Sequence, residues 1–488
     1  MNEIPGKRTW WLPGPEEVVF GCLLSMILIG DSHGLLADPG TPWHLRLGRE
    51  ILVSGTVPRH DTLTFTHQGE TWVDQSWGFD VLLAAIVDRW GWPTAVCAAA
   101  LGLAWLYTAV ARGLAKDGAS PVVAVVTALL VAAIGGVHFL LRPHLFTFAF
   151  VYLTLRACQR QHERGGFWIA LVPLYTAILA NLHGGFVALP VIVLTAAFGH
   201  AISGTWGDQR AREVLRFAAG FLACLAAGLV NPYGFGLYRH VAKLLYSSGV
   251  TSLIIEYQPA PFGKPEAEVL EWVLLALVAL PVVSSRRVDR YQLAHVLVWL
   301  HLALTSIRNA PFFALAAAPA LASLLDGLPI LFRGTWKRDP RWSIWPAVVT
   351  AALLGLAIMG RGPGSFDQKR WPFAALPIVN SQPLATRMFH EQDWGGLIAA
   401  ECQPTRRSYL DDRFELYGKP AIVEYIEVLS GGPTWDLVQE RDRIDLVWLR
   451  PDRGLAKRLF RSPGWQVVYR DKVSVLFKQA PPAEMAAR

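Results

Sequence analysis

Long runs of apolar residues, separated by short polar turns, occupy most of the first 360 positions of the chain. A run of about 20 apolar residues is long enough to cross the hydrocarbon core of a bilayer as a helix. The runs that approach this length cover residues 16–36, 92–114, 120–141, 143–158, 167–181, 184–203, 213–230, 268–285, 290–306, 309–326 and 343–360. The pattern therefore predicts a polytopic α-helical membrane protein with about 11 transmembrane helices.

One further apolar segment, residues 79–91, is too short to cross and ends in Asp88 and Arg89. Tryptophans flank it on both sides, which favours a helix lying at the membrane interface. If this segment does not cross, the loops richest in Lys and Arg all fall on the side of the N-terminus. Such loops face the cytoplasm. We therefore expect a cytoplasmic N-terminus and an extracytoplasmic chain end.

With the N-terminus in the cytoplasm and these spans crossing in order, residues 37–78 form an external loop. The transmembrane domain as a whole covers residues 1–360. Within the loop, the stretch TPWHLRLGREIL predicts a short surface helix with Thr41 as its N-cap and Pro42 at the first helical position. A second external loop covers residues 231–267.

The composition of the chain changes after residue 360, where the proportion of charged residues becomes typical of a domain outside the membrane. The segment IDLVWL at 444–449 predicts a buried strand, and GLAKRLF predicts a short helix. The segment WQVVYRDKVSVLFKQ predicts a hairpin that turns near Asp471. Residues 361–488 are therefore predicted to form a small extracytoplasmic α/β domain.

Composition supports the membrane assignment and narrows the function. The chain of 488 residues is 53% hydrophobic and only 17% charged, with a formal net charge of +7. The basic residues lie in short loops between apolar runs, so the charge reflects topology and does not predict nucleic-acid binding. The five cysteines form neither a disulfide framework nor a zinc pattern.

Ionisable residues near the predicted outer ends of the spans are the candidates for chemistry. The stretch RPHLFT places Arg142 and His144 where the fourth span begins, and NLHGG and SIRNAPFF place His183 and Arg308 at comparable depth. Each has a structural alternative, because Arg142 could snorkel to lipid headgroups and His183 could belong to a turn. Their occurrence on one side predicts a shared polar cavity open to the outer face.

The segment LDDRFE near the chain end holds Asp411, Asp412 and Arg413 at the end of a predicted strand. Neighbouring acidic and basic residues usually form a structural ion pair, and this is the interpretation we favour over a ligand site.

The order of the motifs resembles a large group of bacterial membrane proteins of the GT-C glycosyltransferase superfamily. The motifs are DPGTPWHLRLGREILVSGTVPRHDTLTFTHQGETW, WGFD, RPHLFT, NLHGG, NPYG, RNAPFF, WGGLIAAE and YLDDRFELYG. That superfamily includes protein O-mannosyltransferases and the lipid A aminoarabinose transferase. The resemblance implies a multi-span GT-C-like fold in the bacterial cytoplasmic (inner) membrane. It also implies sugar transfer from a polyprenyl phosphate carrier to a glycan, lipid or protein acceptor on the outer face.

The resemblance also implies roles for individual residues. Asp38 matches the position of the loop carboxylate of the superfamily and would be the catalytic base, although it could equally cap the following turn. Asp61 is the candidate second acidic residue, because the adjacent Asp-Glu pair of the O-mannosyltransferases is absent. Arg142 and Arg308 would hold the departing phosphate. His44, His144 and His183 would contact substrate. A divalent metal is left open, because two separated carboxylates do not decide it.

A second class of function remains compatible with the sequence. The chain could be a non-catalytic membrane protein, such as a lipid-linked saccharide translocase or an assembly partner. A translocase needs access from both faces, and the polar residues identified in the sequence are concentrated on one.

Overall fold

The computed structural model describes residues 15–30, 34–247, 249–328, 348–352, 365–383, 385–402 and 406–480. The predicted crossing at 343–360 lies, apart from residues 348–352, outside the described residues. The chain divides into two compact units, each assembled from separate stretches of sequence. We call the first the helical unit; it comprises Met1–Leu35, Pro93–Asn231 and Ile255–Ser365. We call the second the α/β unit; it comprises Leu36–Trp92, Pro232–Ile254 and Phe366–Arg488.

Most helices of the helical unit lie within a few residues of the predicted spans, but the first α-helix, Pro15–Ser25, ends well before residue 36. They cover Pro15–Ser25, Pro121–Gly136, His144–Arg164, Leu171–Leu179, Ala188–Ile202, Asp208–Ala227, Pro265–Val283, Arg290–Thr305 and Ala310–Asp326. The Ala310–Asp326 helix is rich in alanine and almost entirely buried, since it packs against Arg290–Thr305 and Pro121–Gly136. Small side chains allow helices to approach closely inside a membrane.

Among the described residues, three helical stretches are both long and apolar enough to cross a bilayer. They are Trp77–Lys116, Gly184–Ile202 and Ile307–Asp326. Pro121–Gly136 and Trp168–Leu179 are apolar but shorter.

The Trp77–Lys116 helix is broken at Gly91, whose φ of 80° and ψ of 170° are not helical. Pro93 follows two residues later, and proline removes a helical hydrogen bond donor. The break lies where the short apolar segment 79–91 was predicted to end. It is also where the chain passes from the α/β unit to the helical unit.

The α/β unit contains one four-stranded sheet. Its strands are β1 (Arg387–His390), β2 (Ile444–Leu449), β3 (Trp465–Arg470) and β4 (Val475–Gln479), in the order β1-β2-β4-β3. β1 is parallel to β2, and the remaining pairs are antiparallel. The predicted strand at 444–449 and the predicted hairpin are therefore both present, as β2 and as β3 with β4. Leu446, Val447, Trp448 and Leu449 of β2 are all fully buried at the centre of the sheet.

Besides the first part of the Trp77–Lys116 helix, the α/β unit contains shorter helices. They cover Thr41–Ser54, Phe235–Ala242, Leu376–Ser381, Gly395–Glu401, Phe414–Leu429, Thr434–Asp442 and Gly454–Leu459. The predicted helix in GLAKRLF is thus confirmed. The predicted strand before Asp411 is wrong: Ser408 forms only an isolated bridge with Thr64.

The Thr41–Ser54 helix begins one residue earlier than predicted. Gly40, not Thr41, occupies the N-cap position, and no side chain caps the helix. The first turn is instead fixed by burial, since Thr41, Pro42, Trp43 and His44 are all buried. Gly48 lets this helix approach the Trp77–Lys116 helix so closely that an added Cβ would lie 1.9 Å from the carbonyl oxygen of Asp80.

The contact at Gly48 predicts a specific sensitivity to side-chain size. We expect Gly48→Ala to destabilise the protein by about 1–3 kcal/mol, because the two helices must separate to admit a methyl group. Thermal unfolding of the purified protein measures this as a lower melting temperature. Gly102→Ala is the matched control, because no atom lies within 4 Å of its added Cβ. Equal melting temperatures for the two variants would contradict the close approach.

Candidate functional site

Two arginines and one glutamate meet in the helical unit and form what we call the arginine cluster: Arg142, Arg308 and Glu256. Arg142 lies just before the His144–Arg164 helix, and Arg308 lies in the turn Ile307–Asn309 that precedes the Ala310–Asp326 helix. Glu256 belongs to the turn Ile255–Tyr257. Three turns at helix ends thus bring together side chains that are far apart in sequence.

Glu256 lies between the two guanidinium groups. Its carboxylate oxygens are 3.5 Å from Nη1 of Arg142 and 3.7 Å from Nη1 of Arg308. Burial alone would raise the pKa of the Glu256 carboxyl, but Arg142 and Arg308 outweigh this effect and lower the pKa to about 2. The three side chains are 23–30% exposed, so solvent or a ligand can reach them.

Uncharged hydrogen-bonding groups surround Arg308. Its Nη1 donates to the hydroxyl of Tyr257 at 2.9 Å, and its Nη2 lies 3.5 Å from Nε2 of His183. The backbone N–H of Gly185 donates to Nδ1 of His183 at 3.1 Å, and the Thr147 hydroxyl lies 2.7 Å from the same nitrogen. Because Nδ1 accepts, the ring proton of a neutral His183 is on Nε2. Arg308 and His183 are therefore neighbours in one polar cluster.

His144 lies next to His183 and makes contacts within the protein. Its Nε2 is 2.6 Å from the carbonyl oxygen of His138, and its ring packs edge-on against the His183 and Phe148 rings. The structure thus brings four of the predicted residues, Arg142, His144, His183 and Arg308, into one neighbourhood of the helical unit. The sequence had not identified Glu256 as their counter-ion, although its acidic side chain in an outer loop was visible.

The other predicted residues belong to the α/β unit. Asp38 is 4% exposed, and its Oδ1 accepts a hydrogen bond from the backbone N–H of Gly40 at 2.8 Å. Asp412 lies beside it, because a Cβ placed on Gly40 would be 2.9 Å from Oδ1 of Asp38 and 2.6 Å from Oδ2 of Asp412. The indole N–H of Trp43 donates to Asp412 at 2.6 Å. Asp38 therefore has a second carboxylate as its neighbour.

His44 belongs to a buried chain of titratable groups. Its Nδ1 lies 2.7 Å from Oδ1 of Asp80, and both residues are at most 3% exposed. Asp74 is a neighbouring buried acid, and its Oδ1 accepts from the backbone N–H of Ser76 at 3.1 Å. Burial raises the pKa of Asp74 to about 6, although the Ser76 bonds lower it.

Asp61 occupies a saturated structural position. Its oxygens accept hydrogen bonds from the backbone N–H groups of Leu63 and Thr64, and Oδ1 forms an ion pair with Arg413 at 2.7 Å. Arg413 also pairs with Asp411 at 2.7 Å, as the segment LDDRFE predicts. Burial of Arg413 would lower its pKa, but Asp411 and Asp61 hold it well above the usual value. This network joins the 61–65 loop to the 408–413 segment.

No group of three or more His, Cys, Asp or Glu side chains in the described part of the chain is arranged to hold a metal ion.

A cavity of about 120 Å³ lies in the helical unit. It is near the end of the His144–Arg164 helix and the start of the Arg290–Thr305 helix, whereas the arginine cluster is at the opposite ends of these helices. Its polar lining residues include Arg156, His162, Glu163, Asp289, Tyr291 and His295.

Comparison with known proteins identifies the fold. The chain matches no protein-family model and no curated protein sequence. It is similar to the solved structure of ArnT from Cupriavidus metallidurans bound to undecaprenyl phosphate, with a TM-score of 0.53 and 14% identity over 95% of this chain and 98% of that one. It is also similar to the arabinofuranosyltransferase AftD from Mycobacteria, with a TM-score of 0.54 and 15% identity over 96% of this chain and 40% of that one.

These similarities confirm the resemblance noted in the sequence: the chain has the fold of the GT-C superfamily. Three helices among the described residues are long and apolar enough to cross a membrane, as a membrane protein of this fold requires.

The raised pKa of Asp74 predicts how stability depends on pH. Because the folded state holds this proton more tightly than the unfolded chain, its stabilising contribution is complete below pH 3.8 and is lost as the pH rises through about 6. Asp74→Asn mimics the protonated carboxyl. We expect it to stabilise the protein at pH 7.5 by up to about 3 kcal/mol, and to give no gain near pH 4.

Melting temperatures measured between pH 4 and 8 test this prediction. The control is Asp452→Asn, which alters an exposed aspartate of the same unit. A stabilisation by Asp74→Asn that does not change with pH would contradict the account.

Proposed function

We propose that this protein is an integral membrane glycosyltransferase that moves a sugar from a polyprenyl phosphate carrier to a glycan, lipid or protein acceptor. The observation that supports this most strongly is the arginine cluster, in which Arg142 and Arg308 flank a site that solvent can reach. ArnT, which shares the fold, has been solved with undecaprenyl phosphate bound. The chemistry of this cluster fits the phosphate of such a carrier.

Guanidinium groups suit this task for a physical reason. A guanidinium carries a permanent charge and donates from several N–H groups in one plane, so it binds phosphate oxygens by short charge-assisted hydrogen bonds. During transfer the phosphate is the leaving group and gains negative charge as the bond to the sugar breaks. Arg142 and Arg308 would stabilise that charge, and His183 and Tyr257 would add hydrogen bonds from neutral groups.

The transfer also needs a base. The oxygen of the acceptor hydroxyl forms a bond to the anomeric carbon, the bond from that carbon to the phosphate oxygen breaks, and the hydroxyl proton is lost. We assign that proton to Asp38, with inversion at the anomeric carbon.

The remaining predicted residues take supporting roles. Asp61 is assigned to structure, because its oxygens are occupied by backbone N–H groups and Arg413. His44 orients the Thr41–Ser54 helix through its bond to Asp80, and His144 supports the ring of His183. A role for a divalent metal is not part of the proposal.

The topology that accompanies this function is also a proposal. Eleven crossings, a cytoplasmic N-terminus and an extracytoplasmic domain formed by residues 361–488 follow from the distribution of Lys and Arg. A chain of this kind belongs in the bacterial cytoplasmic membrane, where lipid-linked sugars serve the cell envelope.

A lipid-linked saccharide translocase is the second candidate, and the cavity at the opposite helix ends favours it. Both ring nitrogens of His295 and the hydroxyl of Tyr291 lie buried against this cavity without a hydrogen bond partner among the described residues. Buried polar groups need water or a ligand. Polar groups therefore occur towards both ends of the helices, which is what a translocase needs.

Carrier binding provides the first test. We expect Arg142→Gln and Arg308→Gln each to weaken binding of undecaprenyl phosphate by about 10–100-fold, because each removes one charge-assisted contact to a phosphate. Native mass spectrometry of the purified protein measures this affinity. Arg287→Gln, which changes an exposed arginine of the same unit, is the control. Unchanged affinity in both cluster variants would refute the assignment.

Turnover provides the second test. Asp38→Asn should reduce transfer from an undecaprenyl-phosphate-linked sugar by about 100-fold or more, with undecaprenyl phosphate affinity unchanged. The measurement is release of undecaprenyl phosphate from a panel of such donors in reconstituted vesicles with membrane extract as acceptor. Movement of the intact donor across the vesicle membrane, with no release of its sugar, would favour the translocase.

A further inference from the structure

Glu256 occupies the place in the arginine cluster where an anionic ligand would bind. Its two carboxylate oxygens face one guanidinium each, as two oxygens of a phosphate would. The proposed function gives no role to this residue. A carboxylate in this position repels a bound phosphate, so its presence needs a physical explanation.

The backbone around Glu256 keeps the carboxylate in place without a ligand. The hydroxyl of Ser306 donates to the Glu256 carbonyl oxygen at 3.0 Å, and the N–H of Ile307 donates to the Gln258 carbonyl oxygen at 2.9 Å. These bonds attach the Ile255–Tyr257 turn to the segment that carries Arg308. Glu256 and Arg308 therefore belong to one local structure, and the carboxylate remains near the cluster when a ligand arrives.

The ion pairs themselves are loose. Separations of 3.5 and 3.7 Å exceed the 2.7–2.9 Å of a strong N–H to carboxylate hydrogen bond. With the side chains 23–30% exposed, a second anion can reach the guanidinium groups. Glu256 thus reduces the positive charge of the site while leaving room for a second anion.

Net charge determines which phosphate this site favours. The Glu256 carboxylate offsets part of the positive charge of Arg142 and Arg308. A sugar-charged carrier is a phosphodiester with one negative charge, whereas the spent carrier is a phosphomonoester with a charge of about −1.5 to −2 at neutral pH. Repulsion from the Glu256 carboxylate acts on every unit of ligand charge, so it penalises the monoester more than the diester.

We propose that Glu256 is a specificity residue that weakens binding of the spent phosphomonoester carrier more than binding of the phosphodiester donor. This inference rests on the proposed function. In the transfer cycle, the leaving phosphate gains the additional charge at the moment the sugar departs. Glu256 then promotes release of the product, so that the arginine pair that stabilises the transition state does not retain the spent carrier.

A structural role for Glu256 makes a different prediction. If the carboxylate serves only to neutralise two buried arginines, then its removal leaves like charges facing each other and destabilises the site. Affinity for both lipids would then fall, along with the melting temperature. A role in specificity therefore predicts higher affinity for the monoester when the carboxylate is removed, whereas a purely structural role predicts lower affinity for both lipids.

The experiment compares two lipid probes on three proteins. The probes are undecaprenyl phosphate and its methyl phosphodiester, which has one negative charge and no sugar. The proteins are the wild type, Glu256→Gln and the control Glu268→Gln, which removes an exposed carboxylate of the Pro265–Val283 helix. Native mass spectrometry at pH 7.5 gives both affinities, and a melting curve reports folding.

We expect Glu256→Gln to raise affinity for the monoester about tenfold more than affinity for the diester, and Glu268→Gln to leave the ratio unchanged. Equal changes for the two probes, or losses of both, overturn the role of Glu256 but leave the proposed function intact. Failure of the wild type to bind either lipid overturns the proposed function itself. If Glu256→Gln does not fold, Glu256→Ala is measured in its place with the same criterion.

Discussion

Placing a guanidinium group at the end of an apolar helix costs free energy unless the group is paired or hydrated. Arg142 and Arg308 meet this requirement through Glu256, and the turn that carries Glu256 is bonded to the segment that carries Arg308. The separations from Glu256 are long and the side chains are partly exposed. An anionic ligand can therefore reach the cluster, and the remaining assignments in the helical unit depend on this access.

The α/β unit treats its buried charges differently. Asp61 and Asp411 both form ion pairs with Arg413 at 2.7 Å, and both carboxylates are fully buried. These short, buried ion pairs hold the two segments together. His44, Asp80 and Asp74 form a second buried group, in which His44 lies 2.7 Å from Asp80. Asp38 differs from these, because a second carboxylate, Asp412, lies beside it across Gly40.

The sequence predicted the helices well because apolar runs of membrane length have few alternative structures. It also predicted β2, the hairpin and the Asp411–Arg413 pair, which depend on local pattern. It did not predict that residues 36–92 and 232–254 belong to the same compact unit as the chain end, because long-range contacts leave no local pattern. Glu256 was visible as an acidic loop residue, but only the fold shows that it pairs with Arg142 and Arg308. The assignment of Thr41 as N-cap failed because burial, and not a capping side chain, fixes the start of that helix.

The central claim is that Arg142 and Arg308 bind the phosphate of a polyprenyl carrier. A cryo-electron microscopy structure of the protein with undecaprenyl phosphate tests it most directly. The account predicts phosphate density within hydrogen-bonding distance of both guanidinium groups, with the Glu256 carboxylate displaced from at least one of them. Phosphate density elsewhere, with the Glu256 ion pairs intact, would contradict it.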